Sequence, residues 1–296
     1  MYENISLGVL SWKAHNTLEK TLDSYTKVVG GGNLFNLFNE NFIYFNEISD
    51  LDKKIAKKYN IDFKGCKNNL GFYGGLKNVI FEAKNEYVLV LQNDCNLVEN
   101  IFECNKQISK AIQLLQNNTI NIMRLRSRFN VGEGFSDVYK YLKYYKLNEP
   151  DTEFFKYNNI NDYNIYNKTR FFRCLRFLKK RQMIGRSLYI EKYPEKLFPK
   201  YIKKVDDEIF IVDSSVINFT EQSFLISKSF FNILMQYIDN HLNNRTLHGF
   251  QVSEIILNCN WWRKQHFKIG VGKGLFSHNR YDDSFRKTHQ YYNNNI

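Results

Sequence analysis

Short apolar runs alternate with amphipathic stretches along the first third of the chain. Residues 5–12 form an apolar run of strand length, and residues 17–29 continue with the spacing of a helix. The same succession follows, with a strand predicted at 41–45 and a helix at 50–59. Residues 86–91 predict the most clearly buried strand, because their aliphatic side chains end abruptly in polar residues. Alternating strands and helices predict an α/β fold, with a mostly parallel sheet flanked by helices.

The pattern becomes irregular in the middle of the chain. Residues 135–200 are rich in Tyr, Lys and Arg, and we interpret them as an inserted segment that covers a site or faces a partner. Regular patterns then return. They predict strands at 209–212, 223–226 and 267–271, and helices at 230–241 and 249–264.

No composition typical of a linker separates these parts. We therefore predict a single domain over residues 1–296. It would consist of a ligand-binding half at 1–134, the insertion at 135–200, and a second half with a polar tail at 201–296.

Composition and charge narrow the class of protein. Hydrophobic residues make up 43% of the chain, which excludes general disorder, and no fixed-period repeat occurs. The 42 Lys and Arg against 30 Asp and Glu give a net charge of +12. This excess predicts an anionic partner, which is a nucleic acid, a membrane surface or a phosphorylated small molecule.

The cysteines and the first residues bear on location. The five cysteines form no C-x-x-C pair, and no signal-peptide pattern or long apolar stretch is present. We therefore expect a soluble, cytoplasmic protein. The basic stretch 171–181 leaves two interpretations open: it contacts the periphery of a membrane or another polyanion, or it is a solvated basic helix.

Ligands of such sheets bind at the carboxyl ends of the strands. Three predicted strands end in polar or aromatic residues at Ser11-Trp12, Asn46-Glu47 and Gln92-Asn93-Asp94. A glycine-rich loop at 67–75 allows close approach of a ligand, and the start of the following helix at 76–84 favours phosphate. We expect the binding site at this edge.

The run from Asn68 to Asp94 resembles the donor-binding half of a family 2 type glycosyltransferase with the GT-A fold, with rhamnosyltransferase-like motifs. Asn69-Leu70-Gly71-Phe72, a later Asn78, a helix, a strand and Gln92-Asn93-Asp94 follow the family order, in which the last motif is D-x-D. The resemblance covers residues 1–130 and, more loosely, 220–280. It implies a Rossmann-like nucleotide-binding half and an enzyme of glycan biosynthesis. That enzyme moves a sugar from a nucleotide-sugar to an acceptor hydroxyl.

The resemblance also implies which residues contact the donor, a UDP-, dTDP- or GDP-linked sugar. Gln92 and Asn46 stand where the family usually carries acids, which places the preferred base and the metal affinity in question. The residues expected to bind the donor are Ser11, Trp12, Asn46, Glu47, Gly71, Phe72, Lys77, Asn78, Gln92, Asn93 and Asp94.

A divalent cation fits the chemistry of a departing diphosphate, because negative charge grows as the sugar–phosphate bond breaks. Asp94 supplies a carboxylate, and His278 matches a C-terminal His that completes the metal site in many family members. We expect Mn²⁺ or Mg²⁺. The alternatives are a turn-forming Asp94 and a surface His278.

Inverting transfer needs a carboxylate that accepts the proton of the acceptor hydroxyl. The resemblance assigns this role to Glu254 at the start of a late helix, although the usual second acid is Ile255 here. Asp207 is a second candidate catalytic residue, with Asp206 and Asp213 as rivals. Glu254 as a solvated helix residue is the alternative.

Two other functions stay open. The first is a nucleic-acid-binding protein, suggested by the charge and the aromatic content, although no recognised nucleic-acid motif organises these residues. The second is a GT-A-like protein with weak or lost catalysis. Our main hypothesis predicts a nucleotide-sugar donor, a glycan, lipid-linked or protein acceptor, and no nucleic acid.

Overall fold

The computed structural model describes residues 1–132, 137–158, 177–206, 208–242, 246 and 249–281. Within these residues the strands are β1 (Tyr2–Ser11), β2 (Phe38–Phe45), β3 (Asp62–Gly65), β4 (Tyr87–Gln92), β5 (Cys95–Leu97), β6 (Ile122–Arg126), β7 (Ile202–Lys204), β8 (Phe210–Asp213), β9 (Phe224–Ser227) and β10 (Lys268–His278).

The helices of the same residues lie between these strands. They are α1 (His15–Thr26), α2 (Asp50–Lys58), α3 (Gly71–Glu82), α4 (Ile101–Gln116), α5 (Asp137–Leu142), α6 (Thr152–Tyr157), α7 (Phe177–Lys180), α8 (Ser187–Ile190), α9 (Pro194–Leu197), α10 (Lys228–Asn240), α11 (Ser253–Leu257) and α12 (Asn260–Lys264). Two 3-10 helices span Leu34–Leu37 and Arg181–Arg186.

One mixed sheet organises the described chain, in the order β3-β2-β1-β4-β9-β6-β10-β8-β7, with β5 also paired to β10. The first four strands are parallel to one another, and β6 and β10 are parallel to each other. Strands β5, β8 and β9 run in the opposite direction to the rest. The prediction of an α/β fold with a mostly parallel sheet and flanking helices is confirmed.

Both faces of the central strands are buried. Leu89 and Leu91 of β4 pack in a core with α1, α2 and α4, whereas Val88 and Val90 pack on the other face with α3 and α10. Each such side chain stabilises the fold by about 1.5–3 kcal/mol when fully buried. This burial on both faces explains why β4 is an unbroken apolar run rather than an alternating one.

Gly8 sets how closely α3 approaches the sheet. A Cβ atom at this position would lie 2.5 Å from Val79 Cγ1 of α3 and 3.2 Å from Cζ of Phe42. The absence of a side chain therefore lets α3 lie directly on β1 and positions the loop that precedes the helix.

The predicted helix at 249–264 is wrong, because α11 and α12 are two short helices separated by a turn at Asn258. The side chain of Asn258 accepts a hydrogen bond from the backbone N–H of Phe219 at 2.7 Å and donates one to its carbonyl at 3.0 Å. Asn side chains compete in this way with helical hydrogen bonds. This tertiary contact draws the chain out of the helix.

The middle segment contains short helices and a small core of its own. Val138, Tyr141, Leu142 and Phe154 pack with side chains of α8 in this core. The buried carboxylate of Glu191 accepts hydrogen bonds from Tyr141 Oη at 3.0 Å and from two backbone N–H groups of residues 148–149. The first residues of the basic stretch, 171–176, lie outside the described residues.

None of the described helices has the length and apolar character needed to cross a bilayer.

Candidate functional site

The carboxyl ends of β1, β2 and β4 meet at one edge of the sheet, as we predicted from the strand order. The backbone N–H of Asn93 donates to the carbonyl of Leu10 at 3.0 Å, and that of Asn46 donates to Ser11 at 2.8 Å. These bonds extend the pairing beyond the strands and place the three polar strand ends side by side. We call this region the carboxyl edge.

Asp94 and His278 lie together at this edge. His278 Nε2 is 3.0 Å from Asp94 Oδ2, because the pairing of β5 with β10 sets His278 opposite Cys95. Arg280 Nε donates to the same oxygen at 3.1 Å. Both Asp94 and His278 are buried. The structure therefore brings together the two residues that we predicted as metal ligands.

The electrostatics of Asp94 favour the ionised form. Burial raises the pKa of its carboxyl group, but the hydrogen bonds and charges of His278 and Arg280 outweigh burial, so the net pKa is lowered. Its other oxygen, Oδ1, is buried and has no hydrogen-bond partner among the residues that the structure describes. An ionised carboxylate with a buried unpartnered oxygen is suited to a cation or a hydrogen-bond donor from a ligand.

The donor set of this cluster fits a divalent cation that takes its remaining ligands from diphosphate and water. Asp94 offers a hard oxygen and His278 an imidazole nitrogen. In the described part of the chain, no group of three or more His, Cys, Asp or Glu residues could hold a metal ion. A cation here would therefore depend on oxygens of the substrate.

The side chain of Gln92, close to Asp94 in the sequence, contacts a second acidic cluster, which is formed by Glu221 and Glu254. Its side-chain Nε2 donates to the backbone carbonyl of Glu221 at 2.9 Å. Gln92 thus fixes the segment before β9 rather than standing free at the edge. The segment carries Glu221, a residue that we did not predict as part of the site.

Glu221 and Glu254 hold each other through reciprocal hydrogen bonds. The backbone N–H of Glu221 donates to Glu254 Oε1 at 2.9 Å, and the backbone N–H of Glu254 donates to Glu221 Oε1 at 3.1 Å. The hydroxyl of Ser253 also donates to Glu221 Oε1. The predicted catalytic residue Glu254 therefore lies in a paired carboxyl site beside the end of β4.

The two carboxyl groups differ in environment. Glu221 is buried, and burial together with the nearby charge of Glu254 raises the pKa of Glu221 to about 8. Glu221 therefore carries a proton at neutral pH. A neutral Glu221 beside Glu254 leaves one negative charge in the pair, and such divided roles are typical of acid–base sites.

Glu221 was missed because its position depends on strand direction. It follows Phe219 in a short polar segment before β9, and β9 runs antiparallel to β4. The first residues of an antiparallel strand lie at the same edge as the last residues of its neighbour. The apolar residues 223–226 predicted a strand, but nothing in the sequence indicated that this strand runs antiparallel to β4.

Trp12 and Glu47 form another contact at the carboxyl edge. Trp12 Nε1 donates to Glu47 Oε2 at 3.0 Å, and Lys13 Nζ donates to the Glu47 carbonyl at 3.1 Å. Lys13 and Glu47 both have a positive φ, of 55° and 68°. Such backbone conformations are uncommon outside glycine and cluster at functional sites.

Asn46 holds the glycine-containing loop. Its Nδ2 donates to Asn69 Oδ1 at 2.9 Å and to the Gly71 carbonyl at 3.0 Å, while its Oδ1 accepts from the Leu70 N–H at 2.9 Å. The φ of Gly71 is +69°, and a Cβ there would lie 2.4 Å from Phe250. The end of this loop and the first residue of α3 therefore form one hydrogen-bonded unit with Asn46. The predicted helix start at residue 76 is wrong, because α3 begins at Gly71, and Lys77 and Asn78 lie inside the helix rather than at its start.

The remaining predicted binding residues have varied surroundings. Lys77 Nζ pairs with Asp239 of α10 at 3.1 Å, and Asn78 Nδ2 donates to the Tyr44 hydroxyl at 2.7 Å. Phe72 packs against the core that lies between the sheet and helices α3 and α10. Ser11 is buried at the end of β1, and within the described part of the chain its hydroxyl has no hydrogen-bond partner.

The other acidic candidates lie away from the carboxyl edge or outside the described residues. Asp207 falls outside the described residues. Asp206 accepts hydrogen bonds from two backbone N–H groups and pairs with Lys110 at 3.3 Å. Asp213 lies opposite Lys268, the first residue of β10, in the antiparallel pairing of β8 and β10, and its carboxylate contacts His266 Nδ1 at 2.9 Å. This is the sheet edge opposite Asp94.

No protein-family model and no curated protein matches the chain. Among solved structures, S. aureus TarS 1-349 in complex with UDP-GlcNAc is similar at 10% identity and a TM-score of 0.44, over 97% of this chain and 61% of that chain. The same fragment without the ligand is 13% identical, with a TM-score of 0.43, over 93% and 60%.

A third similar structure is the mannosyltransferase PcManGT from Pyrobaculum calidifontis in complex with GDP-Man and Mn²⁺. It is 12% identical, with a TM-score of 0.34, over 43% of this chain and 36% of that chain. The chain spans less than two thirds of the length of each of these structures. At such low identities and scores, the similarities do not establish a shared activity.

Proposed function

We propose that this protein is a glycosyltransferase that moves a sugar from a nucleotide-sugar to an acceptor hydroxyl. The observation that carries the proposal is the carboxyl edge itself. A buried, ionised Asp94 lies there, with one oxygen that has no partner among the described residues, and the nearby Gln92 side chain donates to the backbone of Glu221 in the Glu221–Glu254 carboxyl pair. One acidic centre suits the leaving diphosphate, and the other suits removal of a proton from the acceptor.

In this proposal the donor is a UDP-, dTDP- or GDP-linked sugar that lies along the carboxyl edge. Asp94 and His278 hold a divalent cation, Mn²⁺ or Mg²⁺, which neutralises charge on the diphosphate when bound. The other donor-binding residues that we propose are Ser11, Trp12, Asn46, Glu47, Gly71, Phe72, Lys77, Asn78, Gln92 and Asn93.

Glu254 is the proposed general base. Because Glu221 holds its own proton at neutral pH, it does not compete with Glu254 for the proton of the acceptor hydroxyl. Attack from the side opposite the leaving diphosphate gives inversion at the anomeric carbon. Asp207 remains a second candidate for this role.

The acceptor and the setting of the reaction complete the proposal. The acceptor is a glycan, a lipid-linked or a protein hydroxyl, and the enzyme serves glycan biosynthesis in the cytoplasm. The basic stretch 171–181 provides a contact with the periphery of a membrane. Residues 135–200 form the lid or acceptor region between a donor-binding half at 1–134 and an acceptor half at 201–296.

The first test measures binding by thermal shift. The full chain is heated with UDP-, GDP- and dTDP-sugars and with free nucleotides, each with and without Mn²⁺, because a ligand that binds the native state raises the Tm. We expect one nucleotide-sugar to raise the Tm in a Mn²⁺-dependent manner. Asp94→Ala should abolish this effect, whereas Asp50→Asn, a change of an exposed carboxylate on α2, should preserve it.

The second test separates binding from transfer. Glu254→Gln should retain donor binding and lose transfer, because the amide cannot accept the proton. A fully active Glu254→Gln variant would move the base to another residue. Stabilisation only by single-stranded DNA or RNA, weakening steeply with salt, would instead identify a nucleic-acid-binding protein.

A further inference from the structure

A cavity of about 270 Å³ lies at the opposite edge of the sheet from Asp94. It is lined by Arg181, Gln182, Ser215, Asn260, Arg263, Lys264 and His266. The lining comes from the 3-10 helix Arg181–Arg186, from the segment after β8, and from α12 with the turn that leads into β10. These elements meet where β8 ends and β10 begins, since Asp213 pairs with Lys268.

The lining is strongly cationic. It includes two arginines, one lysine and one histidine, and no carboxylate. Within the described part of the chain, Asp213 is the acid in contact with these residues, and it binds His266 Nδ1 at 2.9 Å. Arg181, Arg263 and Lys264 form no salt bridge with any described residue. Three cations around one cavity that have no salt-bridge partner among the described residues create a positive potential that attracts anions.

The arginines are held in place by neutral groups. Arg181 Nη2 donates to Ser215 Oγ at 3.0 Å, and its guanidinium lies 5.0 Å from the ring centre of Tyr201. Arg263 Nη2 makes a long hydrogen bond of 3.4 Å to the carbonyl of Asn258. Each guanidinium therefore donates to one neutral acceptor among the described residues and has further N–H groups free of described partners.

The size of the cavity restricts its ligand. Its volume lies just below the range of roughly 300–1,000 Å³ that is typical of small-molecule sites. A compact anion with several oxygens suits this space better than a complete nucleotide-sugar. Guanidinium groups match the oxygen geometry of phosphate through paired N–H donors, and Gln182 and Asn260 add neutral amides.

We propose that this cavity is a second binding site, which takes a phosphate group. It is separate from the carboxyl edge, because the Asp94 cluster lies at the end of β10 and the cavity lies at its beginning. The proposal stands on the cavity and its charges alone. It holds whether or not the protein transfers a sugar.

The test is isothermal titration of the full chain with inorganic phosphate in a chloride buffer. We expect saturable binding that weakens about tenfold or more in Arg181→Gln and in Arg263→Gln, because each loses a charged hydrogen-bond donor. Arg263→Lys keeps the positive charge but loses the paired N–H donors of the guanidinium, and should also weaken phosphate binding. Lys196→Gln on α9 removes a charge outside the cavity and should leave phosphate binding unchanged.

Further titrations distinguish the source of the phosphate. Binding of glycerol 3-phosphate with the same variant dependence indicates a soluble phosphomonoester. Added binding to anionic phospholipid vesicles, lost in Arg263→Gln, which lies outside the basic stretch 171–181, indicates a lipid headgroup. Either result supports the site.

Three results overturn the proposal. They are no saturable binding of inorganic phosphate, an equal loss in Lys196→Gln, and binding to vesicles without binding of free phosphate. The last result would indicate a diffuse surface contact. Nucleotide-sugar thermal shifts measured on Arg263→Gln, which lies outside the proposed lid and donor-binding residues, should match wild type, so failure of this site and failure of the proposed enzyme activity are distinguishable.

Discussion

The buried proton on Glu221 should make the stability of the protein depend on pH. Burial and the charge of Glu254 raise the pKa of Glu221 from 4.5 to about 8 in the folded protein. The folded state therefore holds this proton more tightly than the unfolded chain. The stabilisation is complete below pH 4.5 and is lost as the pH rises through about 8.

The size of the effect follows from the two pKa values. At about 1.36 kcal/mol for each factor of ten in proton affinity, the difference between 4.5 and about 8 corresponds to on the order of 5 kcal/mol. This is an upper bound, since the paired carboxyl groups share the effect and the site relaxes. A loss of even half this amount is a large part of a typical folding free energy of roughly 5–15 kcal/mol.

The assay is urea unfolding between pH 5 and pH 9, with wild type compared to Glu221→Gln. Glutamine is neutral at every pH and keeps a carbonyl oxygen for the Ser253 and Glu254 donors. We expect similar unfolding midpoints at pH 5 and a variant more stable than wild type at pH 9. Glu254→Gln removes the neighbouring charge and should make the pH dependence shallower. Parallel curves for wild type and Glu221→Gln would refute the reasoning.

Three further changes test how the fold supports the carboxyl edge. Asn46→Asp should weaken the native state by about 2 kcal/mol in urea unfolding, because a carboxylate cannot donate the two amide hydrogen bonds that hold the glycine loop; unchanged stability would contradict this role. Glu191→Ala should cost about 2–4 kcal/mol, since Tyr141 and two backbone N–H groups lose their acceptor. Gly8→Ala should lower the free energy of unfolding by about 1–3 kcal/mol, because the new methyl group overlaps Val79. The Tm measured by calorimetry should fall, and a Tm equal to wild type would show that α3 shifts without cost.

The local pattern was enough to predict three of the four parallel strands β1 to β4, whereas β3 at Asp62–Gly65 was not predicted. Strands β1, β2 and β4 were recognised because their side chains are buried on both faces, and their polar ends follow directly in the sequence. The edge that these ends share then followed from the general geometry of parallel sheets. The joint placement of Asp94 and His278 agrees with the resemblance on which we based it.

The second half of the site depended on information that the local pattern lacks. The position of Glu221 requires the direction of β9, and that direction is set by pairing with both β4 and β6. The break between α11 and α12 requires the contact of Asn258 with Phe219. Helix α4 carries apolar residues at helical spacing, yet we assigned no element to it. We also assigned no element to β5, because a strand of three residues is too short to recognise from its pattern.

Strand β10 ties the assembly of the carboxyl edge to the order of chain synthesis. The four parallel strands β1 to β4 are complete once residue 92 has been made, but Asp94 has neither His278 nor Arg280 at that stage. Its carboxylate therefore lacks these two partners until β10 enters the sheet between β6 and β8. Long-range pairings of this kind form late, because their loop-closure entropy must be offset first. The contacts of Asp94 with His278 and Arg280 therefore form only after β10 has joined the sheet, and the carboxyl edge is incomplete before that step.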